Sequence, residues 1–319
     1  MIPLQSLALL ATVAGYGDPV DGFPSAEERA LVFWTNAARV APEAFTNDYR
    51  AGGCSLNDFS VDEETAKPPL YIDLALTEAA RFHSEDMRDN GCFQHDSCDG
   101  TDTWERVDRF YKDSNTGVGE NIAYGSADAR YTVMSMWMCS HSGHRANIMS
   151  GDFNEMGGGV AGTFMTQDFA GGELSEGAPP VRVAAEYGDA VYADWGDNDA
   201  PASLTLNVEG EVSDFVLYEG EAEQGVYYTA IDDIPECAAW RVEWATEAGA
   251  SGAFPATGGF RMGDCEEDYD ADGGFSPIGG GDSDNDPLRA TQLLCGTNVS
   301  AGWGALVVAG VLSLRRRRR

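Results

Sequence analysis

The hydrophobic period changes once along the chain, and that change limits the fold more than any other feature. Between about residues 24 and 140 the apolar residues recur at helical spacing: Leu31, Trp34 and Ala38 in one segment, Leu76, Ala79, Ala80, His83 and Met87 in the next, Val133, Met134 and Trp137 in a third. Ser25 ahead of Glu27 and Glu28 supplies a cap and an acidic first turn for the first helix. Gly91 ends the second, which runs from about Asp73 to Asn90. The third is expected over about Arg130–Ser140. After Gly157-Gly158-Gly159 the pattern turns extended, with Val160-Ala161 and Thr163–Phe169 reading as a strand pair. Helices followed by a late sheet predict an α+β layer fold over 24–175.

Beyond a Gly/Pro-rich linker at 171–180 the period becomes two. Val181–Glu186, Ala190–Trp195, Ser203–Val208, Phe215–Tyr218, Gly225–Ala230 and Trp240–Ala245 are short alternating runs separated by Gly, Asp and Pro. They predict a small β-sandwich, immunoglobulin-like in general plan, over 181–265. Residues 266–294 are Gly/Asp-rich and poor in apolar residues, which predicts an acidic stalk.

Both ends read as addresses. Ile2–Ala14 is apolar and ends in small residues, so 1–20 is expected to be a signal peptide, although no Lys or Arg precedes the apolar run. Residues 295–319 hold Cys295, a short apolar stretch (Ala301–Leu314) and five terminal arginines. The expectation is a short C-terminal apolar helix acting as a transmembrane anchor, the arginines on the cytoplasmic side. The stretch is shorter than the roughly 20 residues that cross a bilayer core. It resembles the C-terminal sorting tags of myxobacteria, which implies processing and a cell-surface or extracellular location.

A net charge of −33 in 319 residues excludes whole classes of partner. Such a surface repels nucleic acid and anionic lipid heads, so membrane association is left to the C-terminal segment alone. The seven cysteines include no CxxC pair, which removes zinc-ribbon and thioredoxin-like readings. In an exported chain they oxidise. Cys237 and Cys265 fall together and are expected to pair. Cys54, Cys92, Cys98 and Cys139 allow three pairings, of which Cys92–Cys98 with Cys54–Cys139 is the one expected.

All four histidines, His83, His95, His141 and His144, lie in the first region. His83 sits on an apolar helical stripe and reads as a core residue. His95 lies in the turn-rich Gln94–Gly100 loop, where a disulfide would stiffen it. His141 and His144 flank Ser142-Gly143. No Gly-x-Ser-x-Gly elbow occurs, so neither Ser140 nor Ser142 is marked as a nucleophile. Asp268-Tyr269-Asp270-Ala271-Asp272-Gly273 resembles the start of a calcium loop. Its twelfth position is Gly279 rather than a bidentate Glu, so calcium-dependent adhesion is the minor alternative.

The motifs around the histidines occur in a recognisable order. Asn36–Arg39, Ala80–Met87, Phe93–Ser97, Gly119–Gly125, Trp137–Ser140, Ser142–Met149 and Thr166–Phe169 together resemble bacterial members of the CAP superfamily (cysteine-rich secretory, antigen 5, pathogenesis-related 1; also called SCP). The resemblance implies an α-β-α sandwich with an open cleft. It also implies a cleft that, in eukaryotic members, gathers two His and two Glu able to hold a divalent metal such as zinc. His95 matches the first His and Glu120 the first Glu. The second Glu falls at Ser140 and the second His at Phe164, so half of the tetrad is missing. His144 belongs to the bacterial pattern, and His95, Glu120 and His144 are the three expected metal ligands and the candidates for any catalysis. The resemblance implies lipids, sterols or another surface protein as ligands. The function expected is an exported, non-catalytic binding or interaction role; the alternative is a metal-assisted peptidase.

Overall fold

The computed structural model describes residues 23–44, 59–112, 117–140, 143–172, 174, 178–231 and 235–266, and the backbone of 308–314. The predicted signal peptide, the acidic stalk with its calcium-like loop, Cys54, Cys295, His141 and Ser142 lie outside the described residues.

Helix α1 (Ala26–Val40) starts where the sequence says. The Ser25 hydroxyl accepts from the Glu28 amide while the Glu28 carboxylate accepts from the Ser25 amide, a closed capping box. After a one-turn helix α2 (Val61–Glu64) and a short strand β1 (Tyr71–Ile72) comes α3 (Leu74–Asn90). Asp73 caps its first turn and Gly91 ends it at φ 68°, a conformation that an L side chain resists. Helix α4 (Thr103–Phe110) has its own cap at Asp102 and leads to β2 (Val118–Tyr124). The expected third helix is broken: α5 (Ala129–Tyr131) passes into a π-helical turn, Thr132–Trp137, and α6 (His144–Ile148) follows. Strands β3 (Glu155–Ala161) and β4 (Phe164–Ala170) form the expected pair.

These elements make three layers. The sheet runs β1-β3-β4-β2, with α3 against β3 and β4 on one face and α1 against β3 on the other. Gly157-Gly158-Gly159 on β3 lets both helices close on the sheet. A Cβ on Gly157 or Gly159 would fall 2.1 Å from the backbone of Leu76 or Ala80 in α3. A Cβ on Gly158 would fall 2.8 Å from the Glu28 carbonyl in α1. Asn36 ties α1 to the segment before β1 by exchanging two hydrogen bonds with the Leu70 backbone, at 2.9 and 2.7 Å.

The remaining described strands form two antiparallel sheets. One has β5 (Val181–Tyr187), β6 (Ala190–Gly196), β10 (Gln224–Ala230) and β9 (Val216–Glu221) in that order. The other has β12 (Ser251–Phe254), β11 (Cys237–Thr246), β7 (Pro201–Val208) and β8 (Glu211–Asp214), with β13 (Phe260–Gly263) also on β11. Trp195 meets Trp244 between them, ring centroids 6.4 Å apart. Alternation makes Val191, Ala193 and Trp195 of β6 face the second sheet, whereas Tyr192 and Asp194 face α1. Phe33 stacks on Tyr192 at 4.6 Å and Trp34 meets Tyr187 edge-on at 4.9 Å. One apolar cluster therefore runs from α1 into both sheets.

Cys92–Cys98 and Cys237–Cys265 are disulfides, with Cα atoms 5.9 and 4.7 Å apart. Cys139 is also disulfide-bonded. The C-terminal expectation is corrected: Val308–Leu314 is not a helix but an extended strand, β14, antiparallel to β2 with Leu312 opposite Glu120. A short Val/Leu run suits a strand, where branched side chains keep their favoured rotamers, and is too short to span a bilayer as a helix. Among the described residues no helix is long and apolar enough to cross a membrane.

Candidate functional site

Glu120 is the centre of a buried polar cluster on the α3 face of the sheet. Its side chain is 0% exposed. His95 Nδ1 donates to Glu120 Oε1 at 2.7 Å, and the Arg106 guanidinium from α4 pairs with Oε2. His83 Nε2, from α3, lies 4.0 Å from Oε1 and 3.0 Å from the Gln94 carbonyl. His83 is thus the buried histidine the apolar stripe predicts, yet it also touches the site.

The loop that carries His95 is held from several sides. The His95 carbonyl accepts from Thr103 Oγ1 at 2.7 Å and from Arg106 Nη1 at 2.8 Å. The Cys98 amide donates to Asp86 Oδ2 at 2.7 Å, and the Cys92–Cys98 bridge closes the turn. His95 keeps 19% of its side chain exposed and is the site's route to solvent.

Asp168, like Arg106, is a member of the site that the sequence motifs do not mark. It stands opposite Glu120 on β4, is 0% exposed, and neither carboxyl oxygen has a hydrogen-bond partner in ordinary geometry. Burial, reinforced by the Glu120 charge beside it, pushes its carboxyl well above the usual range, which favours the protonated form. For Glu120, burial opposes ionisation but Arg106, and then the His95 hydrogen bond, outweigh it and hold the carboxyl below its ordinary value. Burial lowers His83 to about 4, so its ring is neutral. Glu120 and Arg106 are opposite in charge, and burial favours the neutral forms of His83 and Asp168 beside them.

His144 does not join this group. Neighbouring residues of a strand point to opposite faces, so Asn121 and Gln167 face away from Glu120 and Asp168. On that far face Asn121 Nδ2 donates to the His144 carbonyl at 3.2 Å and to Gln167 Oε1 at 2.9 Å, while Gln167 reaches Thr35 of α1 at 2.5 Å. The His144 ring lies buried beside Trp137, centroids 6.4 Å apart. Phe164, where the resemblance places a second His, packs on Tyr124 at 4.5 Å, and Phe93 meets Tyr124 at 6.3 Å.

These residues do not fit a divalent metal. Both Glu120 oxygens are engaged, Arg106 holds the position a cation would take, and His144 lies in the other layer. Among the described residues the one group of three potential ligand atoms is Asp86 with Cys92 and Cys98, whose sulfurs are spent on their disulfide.

Arg106 was legible in principle. Asp102 followed by Glu105 is a cap signature, and Val107 and Phe110 recur at helical spacing after it. The ion pair to Glu120 is tertiary and leaves no local trace.

Residues 43–169 match the family model described as the cysteine-rich secretory protein family, CAP. The chain is 33% identical over 139 residues to the uncharacterized protein YkwD of Bacillus subtilis (strain 168), a match covering 43% of this chain and 52% of that protein. It is 35% identical over 100 residues to the uncharacterized membrane protein YlbC of the same strain, covering 31% and 28% respectively. The chain thus spans about half the length of the first relative and 28% of the second. A crystal structure of an extracellular protein containing an SCP domain from Bacillus anthracis (strain Ames) is 36% identical over 32% of this chain and 33% of that one, with a TM-score of 0.30. An outer surface protein of Borrelia burgdorferi is 21% identical over 32% of this chain and 76% of its own, with a TM-score of 0.28. Residues 43–169 are thus similar to the CAP (SCP) family and to the two Bacillus subtilis proteins.

Proposed function

We propose that the chain is an exported cell-surface protein whose CAP domain serves binding or interaction rather than metal-assisted hydrolysis. The observation that carries this reading is the double engagement of Glu120, by His95 on one oxygen and Arg106 on the other. A carboxylate so committed is a poor general base and a poor ligand. Export is supported by the disulfides Cys92–Cys98 and Cys237–Cys265, which persist in oxidising compartments. In this reading the two-sheet module is a spacer or adhesive unit, and residues 295–319 carry the sorting tag.

Zinc titration of the purified chain, with His95→Ala beside it, tests the proposal. The expected result is no zinc uptake that depends on His95. One zinc per chain, lost in His95→Ala and accompanied by peptidase activity, overturns it.

A further inference from the structure

The seam between α1 and the first sheet carries a row of tyrosines that the CAP site does not use. It lies on the α1 side of the molecule, away from Glu120 on the α3 side, and stands independently of the reading above. Tyr192 is backed by the buried Phe33 at 4.6 Å, the two rings inclined by 29°. Tyr228, opposite Tyr192 in the β10–β6 register, lies 6.2 Å from it with the rings inclined by 30°. Tyr218 from β9 stands nearly upright against both, at 5.7 and 5.6 Å, and is 45% exposed. At the other end Tyr187 rests edge-on against Trp34, and the Arg130 guanidinium lies 5.1 Å above the same Trp34 ring.

The rim of this row is polar. Asp128 and Arg130 both hydrogen-bond the Tyr187 hydroxyl, and the charges of Asp189 and Arg130 act on Tyr192. Beyond Tyr187 a cavity of about 690 Å³ opens between α1, the Gly125–Ala129 turn and the β5–β6 hairpin. Its volume is that of an ordinary small-molecule site. Tyr187 belongs both to the aromatic row, through Trp34, and to the cavity lining.

We infer that this row binds a neutral oligosaccharide. A sugar ring has an apolar C–H face and a belt of hydroxyls. Aromatic faces fixed by packing cover the first at little conformational cost, and a carboxylate with a guanidinium at the rim pair with the second. The net charge of −33 turns away polyanions, including nucleic acid and sulfated glycans, but not an uncharged chain. An acyl chain would need an enclosed apolar channel, whereas Tyr218 stands open beside charged neighbours.

Calorimetric titration of the whole chain with cellohexaose and with chitohexaose tests the inference, with a heparin hexasaccharide alongside. At least one neutral hexaose is expected to bind saturably and heparin not at all. Tyr218→Ala and Tyr228→Ala should each weaken binding on the order of tenfold, the worth of one well-stacked ring. Tyr218→Phe should retain most of it, and His95→Ala should leave it unchanged. Tyr218 is exposed, so its variants keep the fold even where Tyr228→Ala does not. Absence of binding by both neutral hexaoses, or binding indifferent to Tyr218→Ala and Tyr228→Ala in folded protein, overturns the inference.

Discussion

Glu120 and Asp168 face each other across neighbouring antiparallel strands, both fully buried on the same side of the sheet, yet their carboxyls are pushed in opposite directions, Glu120 below and Asp168 well above the ordinary range. Of the two carboxyls, Arg106 and His95 hydrogen-bond Glu120 and not Asp168. The asymmetry predicts unequal costs of neutralisation. Glu120→Gln strands the Arg106 guanidinium without a counter-charge and should cost about 3–5 kcal/mol, as broken buried ion pairs do. Asp168→Asn replaces a protonated carboxyl with a neutral amide of the same shape and should cost about 1 kcal/mol or less. Urea unfolding at pH 7 measures both. Equal losses would mean that Asp168 is ionised and that Arg106 serves the two carboxylates jointly.

His83 and Asp73 should oppose each other as the solution is acidified. His83 is lowered to about 4 by burial, so between about pH 6.5 and 4 the unfolded chain takes up a proton that the folded one refuses. Stability from this residue therefore falls with pH, by about 3 kcal/mol in full. Asp73 is raised to about 7, first by burial. Its folded form holds a proton that the unfolded form has released, so its contribution is present at low pH and is lost as pH rises from about 4 to about 7. Between pH 7 and 4.5 the two nearly cancel. His83→Gln should then gain stability on acidification and Asp73→Asn should lose it, both relative to the parent chain. Parallel pH profiles for all three proteins would show that neither group is shifted.

The two disulfides should differ in worth because they close loops of different length. Cys237 and Cys265 are separated by 28 positions, Cys92 and Cys98 by 6. Loop-closure entropy gives about 3.5 and about 2 kcal/mol respectively. Paired Cys→Ser variants compared by thermal melting should follow that order. The double change at Cys92 and Cys98 should also free the His95 loop, so the NMR signals of the His95 ring should broaden while those of the β11–β13 strands stay unchanged. A larger loss from the shorter loop would place the value of that bridge in the folded site rather than in the unfolded chain.

Local signals carried much of this architecture, and tertiary ones did not. Ser25 with Glu28, Asp73 with Gly91, and the alternating runs from Val181 to Ala245 each bear their own boundary chemistry, and the elements lie there within a few residues. Motif order places His95 and Glu120, 25 residues apart, in one site, and the fold brings them to 2.7 Å. His144 was grouped with them by the same reasoning. Motif order says nothing of which face of a sheet a residue occupies, and α6 packs on the far side. Arg106 and Asp168 escaped because a buried charge is defined by its partner, which no local pattern names. Val308–Leu314 misled because a short apolar run is compatible with helix or strand, and only the open edge of β2 decides.

Gly157 and Gly159 should be among the least replaceable residues of the helix–sheet–helix unit, and the reason is distance rather than backbone conformation. Both lie in β3 and point at α3, which crosses so close that an added methyl would sit 2.1 Å from main-chain atoms of Leu76 and Thr77, or of Ala80 and Arg81. Main chain cannot rotate aside as a side chain can, so the helix must lift off the sheet. Lifting α3 withdraws His83 from Glu120 and opens the apolar contact of Leu76 and Ala79 with Val107 and Val118. Gly157→Ala and Gly159→Ala should each cost about 3 kcal/mol or more, at the upper end of overpacking penalties. Gly151, with nothing within 4 Å of its added carbon, is the control, and Gly151→Ala should stay within about 0.5 kcal/mol of the parent. Thermal melts of the three variants decide the matter. If Gly157→Ala melts with the parent, α3 rides higher on the sheet than described, and the 4.0 Å approach of His83 to Glu120 loosens with it.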